Sequence, residues 1–308
     1  MTDLPAHLRT ALAAHFAFPC LEPARVAHSG DGTRKLLFDL GRGDAIEAVL
    51  IPDPPRLTLC ISSQAGCAMD CDFCATARLG LRRNLSSTEI AGQVRAALAL
   101  LQPEERITNL VFMGMGEPLH NYDAVVEAIA TISSNWGIGL SARRITVSTV
   151  GLVPRMLRLV EDTDVLLAVS LTATTDELRD RLMPVNRRFP LAELMRACRE
   201  LPIPQRRRIT FEYVMLEDVN DSLDDARRLI RLLAGIRAKV NLIPFNPFPG
   251  SSYRPSSADV IERFRRRLLD AHVNATVRRS RGRDIQAACG QLALADREDG
   301  IGAPVRAG

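Results

Sequence analysis

Four of the seven cysteines in this 308-residue chain, Cys60, Cys67, Cys71 and Cys74, fall within fifteen residues. The last three form a C-x3-C-x2-C run preceded by Gly66. Three thiolates so spaced can each take one iron of a cubane [4Fe–4S] cluster and leave the fourth iron open. The open iron can be chelated by the amino and carboxylate groups of S-adenosylmethionine (SAM), and an electron from the cluster can then break its S–C bond. A structural zinc site asks for four protein ligands, usually as two C-x2-C halves, and Cys60 is a possible fourth. An odd cysteine count crowded in this way favours metal or redox chemistry over a disulfide framework. Phe73, inside the x2 gap, is suited to an apolar cover over a cluster.

The elements that must position these thiols are legible in the hydrophobic pattern. A short helix is expected within residues 1–22, then a hairpin of 34–40 and 45–52 around Gly41 to Gly43. Apolar, β-branched runs follow at 56–63, 109–115, 143–149, 165–171, 207–216, 239–245 and 274–279. Amphipathic stretches at 87–101, 122–133, 152–160, 190–201, 222–235 and 257–271 lie between them. Ser86 with Glu89 reads as a capping box, and Ser222 with Asp224 and Asp225 as a second helix start. Strand–helix alternation of this kind implies an α/β fold with a parallel sheet and right-handed crossovers. Six or more units suggest a partial (β/α)6-type barrel with a short helix and β-hairpin extension. The expected division is an accessory region over 1–52 and a barrel domain over 53–308. Chemistry then gathers at the C-terminal strand ends, where the motifs fall.

Six blocks, in order and at natural spacing from about residue 32 to 295, carry a closer resemblance: CISSQAGCAMDCDFCATARLGLRRNL, FMGMGEPLHNYD, RRITVSTVG, RLMPVN, NLIPFNPFPGSSY and AACGQL. They are similar to the RlmN/Cfr family of radical SAM RNA adenine methyltransferases. The resemblance implies methylation of carbon 2 of an adenosine in 23S ribosomal RNA, with transfer RNA a further substrate. It implies two SAM per turnover, one methylating Cys289 and one yielding the radical that activates the methyl group. It also implies that Cys60 releases the product by forming a disulfide with Cys289, and that Glu47 accepts the proton. Read from the residues alone, Cys60 and Cys289 would be two unrelated buried cysteines, and Glu47 a solvated strand carboxylate. The SAM contacts carried over are Gly116, Glu117, Ser148, Ser170, Leu171, Thr172 and Asn246. Thr172 departs from the family pattern, which usually has histidine there, and the region before Glu47 is shorter than is typical.

Cys20 and Cys198 match no motif, and Cys198 reads as core. Positive charge is almost all arginine, Lys35 and Lys239 being the only lysines, for a formal net charge of +4. Arginine's planar fork suits phosphate and base edges, though a GC-rich genome gives the same composition. The run 278–283 is the best candidate for RNA contact, 206–208 is another, and 263–267 reads as a solvated helix face. No stretch of 18 apolar residues and no secretory signal is present, so a cytoplasmic location with no membrane association is expected. The resemblance implies a monomer using an electron donor such as flavodoxin or ferredoxin. Two other readings stand beside this one. One is a Cfr-type carbon-8 methyltransferase or a paralogue with another RNA substrate; the other is a zinc-stabilised RNA-binding protein without catalysis.

Overall fold

The computed structural model describes residues 4–16 and 21–293; Cys20 lies outside them. In chain order the elements are α1 (Ala6–His15), β1 (Arg25–His28), β2 (Arg34–Asp39), β3 (Ala45–Asp53), β4 (Arg56–Cys60), β5 (Gln64–Gly66), β6 (Leu81–Asn84), α2 (Ser87–Ala99), β7 (Asn109–Phe112), α3 (Tyr122–Ser133), β8 (Ile145–Thr149), α4 (Val153–Asp162), β9 (Leu166–Ser170), α5 (Asp176–Leu182), α6 (Leu191–Glu200), β10 (Ile209–Met215), α7 (Leu223–Leu232), β11 (Ala238–Pro244), α8 (Ala258–Asp270) and β12 (Asn274–Val277). The expected strands and helices appear within a few residues of their sequence bounds. Four elements were not expected: β1, which has no apolar run, the paired strands β5 and β6, and the two-turn helix α5.

Ten strands form one sheet in the order β1-β2-β3-β4-β7-β8-β9-β10-β11-β12. The first three pairings are antiparallel, and every pairing from β4 to β12 is parallel. Six crossovers therefore carry helices, as the alternation predicted. The expected accessory strands hydrogen-bond directly to the barrel strands, Val49 opposite Cys60.

Each crossover helix covers the sheet with an apolar stripe at helical spacing. Ile90, Val94 and Ala97 of α2 and Val125, Ile129 and Ile132 of α3 are buried in the core. Burial of each isoleucine and valine among them stabilises by about 1.5–3 kcal/mol. Strand periodicity then assigns the other face. Along β8, Ile145 and Val147 enter the core, whereas Thr146 and Ser148 turn toward interior cavities. Residues from β4, β7, β8, β10, β11 and β12 line one interior cavity of about 500 Å³, so the sheet curves around it as an open barrel.

The antiparallel extension carries a buried ion pair. Lys35 on β2 meets Glu47 on β3 at 2.9 Å, with both side chains at most 1% exposed. Removing one partner of a buried pair strands the other charge at a cost of about 3–5 kcal/mol, while replacing both with apolar groups is often neutral. Lys35→Met should therefore destabilise the protein by about that amount in urea unfolding, and Lys35→Met/Glu47→Leu should recover most of it. A destabilisation of Lys35→Met below about 1 kcal/mol would contradict this reading of the pair.

Candidate functional site

The cysteine loop leaves β5 and returns through β6. Gly66 sits at φ +74°, and a Cβ there would lie 1.8 Å from the carbonyl oxygen of Gly80, so only glycine fits before the first cysteine. The Cys67 N–H donates to Gly80 at 3.0 Å and the Cys74 N–H to Cys71 at 3.0 Å. Burial pushes the Cys67 thiol up to about 12, and pushes Cys71 well above the ordinary range, with the neighbouring Cys74 and Cys67 adding to it. Cys74 is also raised by burial. These mutual effects show that the fold brings the three thiols together. Thiols this reluctant to ionise in water-free surroundings become thiolates when a metal takes the proton's place. Among the described residues, no three His, Cys, Asp or Glu side chains converge on a point that a single metal ion could fill. A structural zinc site draws on four protein ligands, whereas a cubane gives each of three thiolates its own corner.

A cavity of about 160 Å³ opens above the C-terminal strand ends. Gly116, Glu117, Ser148, Ser170, Thr172 and Asn246 line it, joined by Phe73 and Cys74 from the cysteine loop and by Arg278 and Cys289. Leu171 does not: it is buried in the core, and its backbone is held by Glu212 and Arg179. Thr172 is buried at φ +55°, a conformation costly for a β-branched residue, and its Oγ1 has no partner among the described residues. An orphaned hydroxyl at the wall of a cavity fits a bound polar ligand. Glu117 accepts from the Leu119 N–H at 3.0 Å and the Val150 N–H at 2.9 Å, tying β7 to β8. Burial pushes its carboxyl up to about 7 against those donors. Gly116 sits at φ +98°, and Gln64 lies 2.5 Å from where a Cβ would stand, so only glycine fits at this point of the cavity wall.

The second pair of cysteines meets on the other side of the same wall. Cys60 ends β4, and Cys289 lies on the loop after β12; both line a cleft of about 30 Å³. Burial pushes the Cys60 thiol up to about 12, with Cys289 raising it further and Arg278 opposing. The Arg278 guanidinium is held charged chiefly by Cys289, to which it also hydrogen-bonds, and its Nη1 lies 3.5 Å from the sulfur of Met113. All six described cysteines are free thiols. Asn246 fixes the loop: it donates to the Cys289 carbonyl at 3.1 Å and accepts from Arg283 at 3.0 Å. Of the run 278–283, Arg278 and Arg283 thus turn inward.

Glu47 does not line this cleft. It shares a face of β3 with Val49, the residue opposite Cys60, and is paired with Lys35. Cys198 is buried in the core, as expected.

Comparison with known proteins accords with this geometry. Residues 61–233 match the family model described as Radical SAM superfamily. The protein named dual-specificity RNA methyltransferase RlmN in Geobacter sulfurreducens is 55% identical over 292 residues, covering 95% of this chain and 80% of that protein. The RlmN of Pelobacter propionicus is 54% identical, covering 95% of this chain and 83% of its own length. A crystal structure of a radical SAM methyltransferase from Sphaerobacter thermophilus matches with a TM-score of 0.89 and 47% identity, over 94% of this chain and 86% of that one.

The chain belongs to the RlmN family of radical SAM enzymes.

Membership brings a [4Fe–4S] cluster and SAM to this RlmN-family protein, and the residues present suit both. Two contributors escaped the sequence reading. Arg179 is fully buried and donates to the carbonyls of Val150, Ser170 and Leu171 and to Asn186, bracing the ends of β8 and β9 beneath the SAM cavity. Asn186, in the RLMPVN block, was its only signal. Glu212 of β10 lines the SAM cavity from below and accepts from Asn241 at 2.8 Å.

The state of Glu117 sets a pH dependence. Its carboxylate is an acceptor for the SAM amino group only when ionised, so SAM affinity of the reconstituted protein should fall as pH drops through about 7. Glu117→Gln should weaken binding about tenfold or more and flatten that profile in anaerobic calorimetry. An affinity that does not change from pH 6 to 8.5 in the wild type would exclude the role.

Proposed function

We propose that this protein methylates carbon 2 of an adenosine in 23S ribosomal RNA, and in transfer RNA, by carrying the new carbon on Cys289. The observation behind this reading is one thiol shared by two spaces, since Cys289 lines both the SAM cavity and the cleft that holds Cys60. Carbon 2 of adenine is electrophilic and bears an unreactive C–H, so direct transfer of an electrophilic methyl group fails there. When bound, the cluster and SAM supply a methyl donor in one role and a hydrogen-abstracting radical in the other, at two SAM per turnover.

Everything else falls to the chain. Cys289 receives the methyl group at its sulfur, on the side facing the SAM cavity. Once activated, that carbon bonds to carbon 2, and enzyme and RNA are covalently joined. Glu47, on the face of β3 shared with the residue opposite Cys60, is the proposed acceptor of the carbon-2 proton. The adduct also gives up its unpaired electron to a one-electron carrier. The Cys60 thiolate then attacks the Cys289 sulfur, and the S–C bond breaks with its electron pair left on the former methylene carbon. A proton taken up there completes the methyl group, and a Cys60–Cys289 disulfide remains. Attack needs the Cys60 thiolate, which burial disfavours; Arg278 beside it lowers that cost. A thiol reductant reopens the disulfide, and a one-electron donor of the flavodoxin or ferredoxin class serves the cluster. The enzyme acts as a cytoplasmic monomer, and among the described residues no helix is long and apolar enough to cross a membrane.

Two measurements test this. Nucleoside mass spectrometry of RNA from cells with and without the gene should show loss of 2-methyladenosine; loss of 8-methyladenosine instead would assign the Cfr-type reaction. Cys60→Ala should accumulate a nuclease-sensitive RNA adduct through Cys289, and normal turnover without adduct would remove Cys60 from the mechanism.

A further inference from the structure

The thiol cleft of about 30 Å³ holds a water or two, not a nucleobase. The large cavity enclosed by the sheet adjoins it, because Ile51, Met113, Arg278, Arg279 and Arg281 line both. At about 500 Å³ it is within the range of about 300–1,000 Å³ typical of small-ligand sites. Its lining lies toward the N-terminal ends of the strands, opposite the SAM cavity. Thr58, Asn109, Thr146 and Thr210 give it polar walls. Its cations are Arg56, Lys239, Arg278, Arg279 and Arg281, against two carboxylates, Asp53 and Glu212. Arg56, Lys239 and Arg279 are exposed, while Glu212 is buried. Asp53 is engaged by Arg56 at 3.4 Å and Arg281 at 3.8 Å.

We propose that this cavity is the entry and recognition site for the RNA nucleotide, with phosphates on the Arg56–Arg279 rim and the base against Glu212 and Asn241. The inference rests on the RNA-methylating reading above and names the route by which the base reaches Cys289. Exposed arginines at a mouth neutralise phosphates and position the strand. Inside, the Glu212 carboxylate, held by the Asn241 amide, accepts a hydrogen bond from an exocyclic amine, which adenine has and hypoxanthine lacks. Arg278 closes the inner end, lining this cavity, the thiol cleft and the SAM cavity alike. The base therefore comes to rest beside the two thiols from below, while SAM approaches from above. Of this face the sequence marks only the arginine run 278–283, because Arg56, Asn241 and Thr276 are contributed by three separate strands.

The test uses a fluorescein-labelled RNA hairpin whose unpaired adenosine the wild-type holoenzyme methylates; wild type that methylates no RNA would sink the activity itself rather than the route. Binding is followed by anisotropy at fixed salt. Arg56→Glu/Arg279→Glu should bind about tenfold or more weakly. Arg263→Glu/Arg267→Glu, the same charge change on the exposed face of α8, should bind as wild type does. Equal losses in both variants, or none in the first, would overturn the route. For recognition, wild type should prefer adenosine over inosine in the hairpin by about tenfold. Glu212→Gln, whose amide can donate to the inosine oxygen, should lose that preference. Absence of a preference in wild type, or its survival in Glu212→Gln, would overturn the recognition role. Cluster content and an unchanged urea-unfolding midpoint in each variant show that it has folded.

Discussion

The loop that follows β12 has to lie against the open barrel, because the thiol it carries is useful only in that position. It is held from three directions. Asp284 accepts from Ser29 at 2.6 Å and from the Gly30 N–H, and the Gly282 N–H donates to Asp31, fastening the loop to the β1–β2 turn. Asn246 and the carbonyl of Pro247, which accepts from Gln291 at 2.7 Å, fasten it to the end of β11. The Ala75 N–H to Gly290 at 2.8 Å, with the Thr76 hydroxyl to Leu292 at 2.6 Å, fastens it to the cysteine loop. Most of these bonds are to backbone atoms, so they fix a path for the chain. Individually each contributes on the order of 1 kcal/mol; acting together on one short loop they define where Cys289 stands.

That placement explains the unusual electrostatics around it. Cys60, Cys67 and Cys71 are all far from ionising as free thiols, because they lie in a dry wall. Cys67 and Cys71, with Cys74, are suited to ionisation by iron, while Cys60 has only a guanidinium. Arg278 is placed to assist both outlying thiols, and it borders every cavity the reaction would use. The same wall keeps the two SAM roles and the incoming base on separate sides of one sulfur.

The fold was readable because its signals are local. Apolar runs and amphipathic stretches repeat along the chain, and each crossover helix buries a stripe visible in sequence. β1 escaped because it pairs only at an edge and needs no apolar run. Within the site, the thiols and the short polar residues at strand ends are legible by type and position. Other features depend on tertiary placement. Gly116 lines the SAM cavity, as its place after β7 suggests, and only packing shows that its missing side chain also makes room for Gln64. Leu171 was carried over as a contact, but its side chain points into the core and only its backbone serves the site. Arg179 and Arg278 belong to an arginine-rich composition that reads as surface, and only packing shows them to be interior. Glu47 is legible as a lone carboxylate; its partner Lys35 is invisible until the strands pair.

The central claim is that one sulfur, Cys289, serves both the SAM side and the Cys60 side of the wall. A single turnover without added thiol, quenched by alkylation and mapped by peptide mass spectrometry, measures this directly. A Cys60–Cys289 disulfide should form in proportion to methylated RNA. Methylated product with both cysteines recovered in alkylated form would contradict the account.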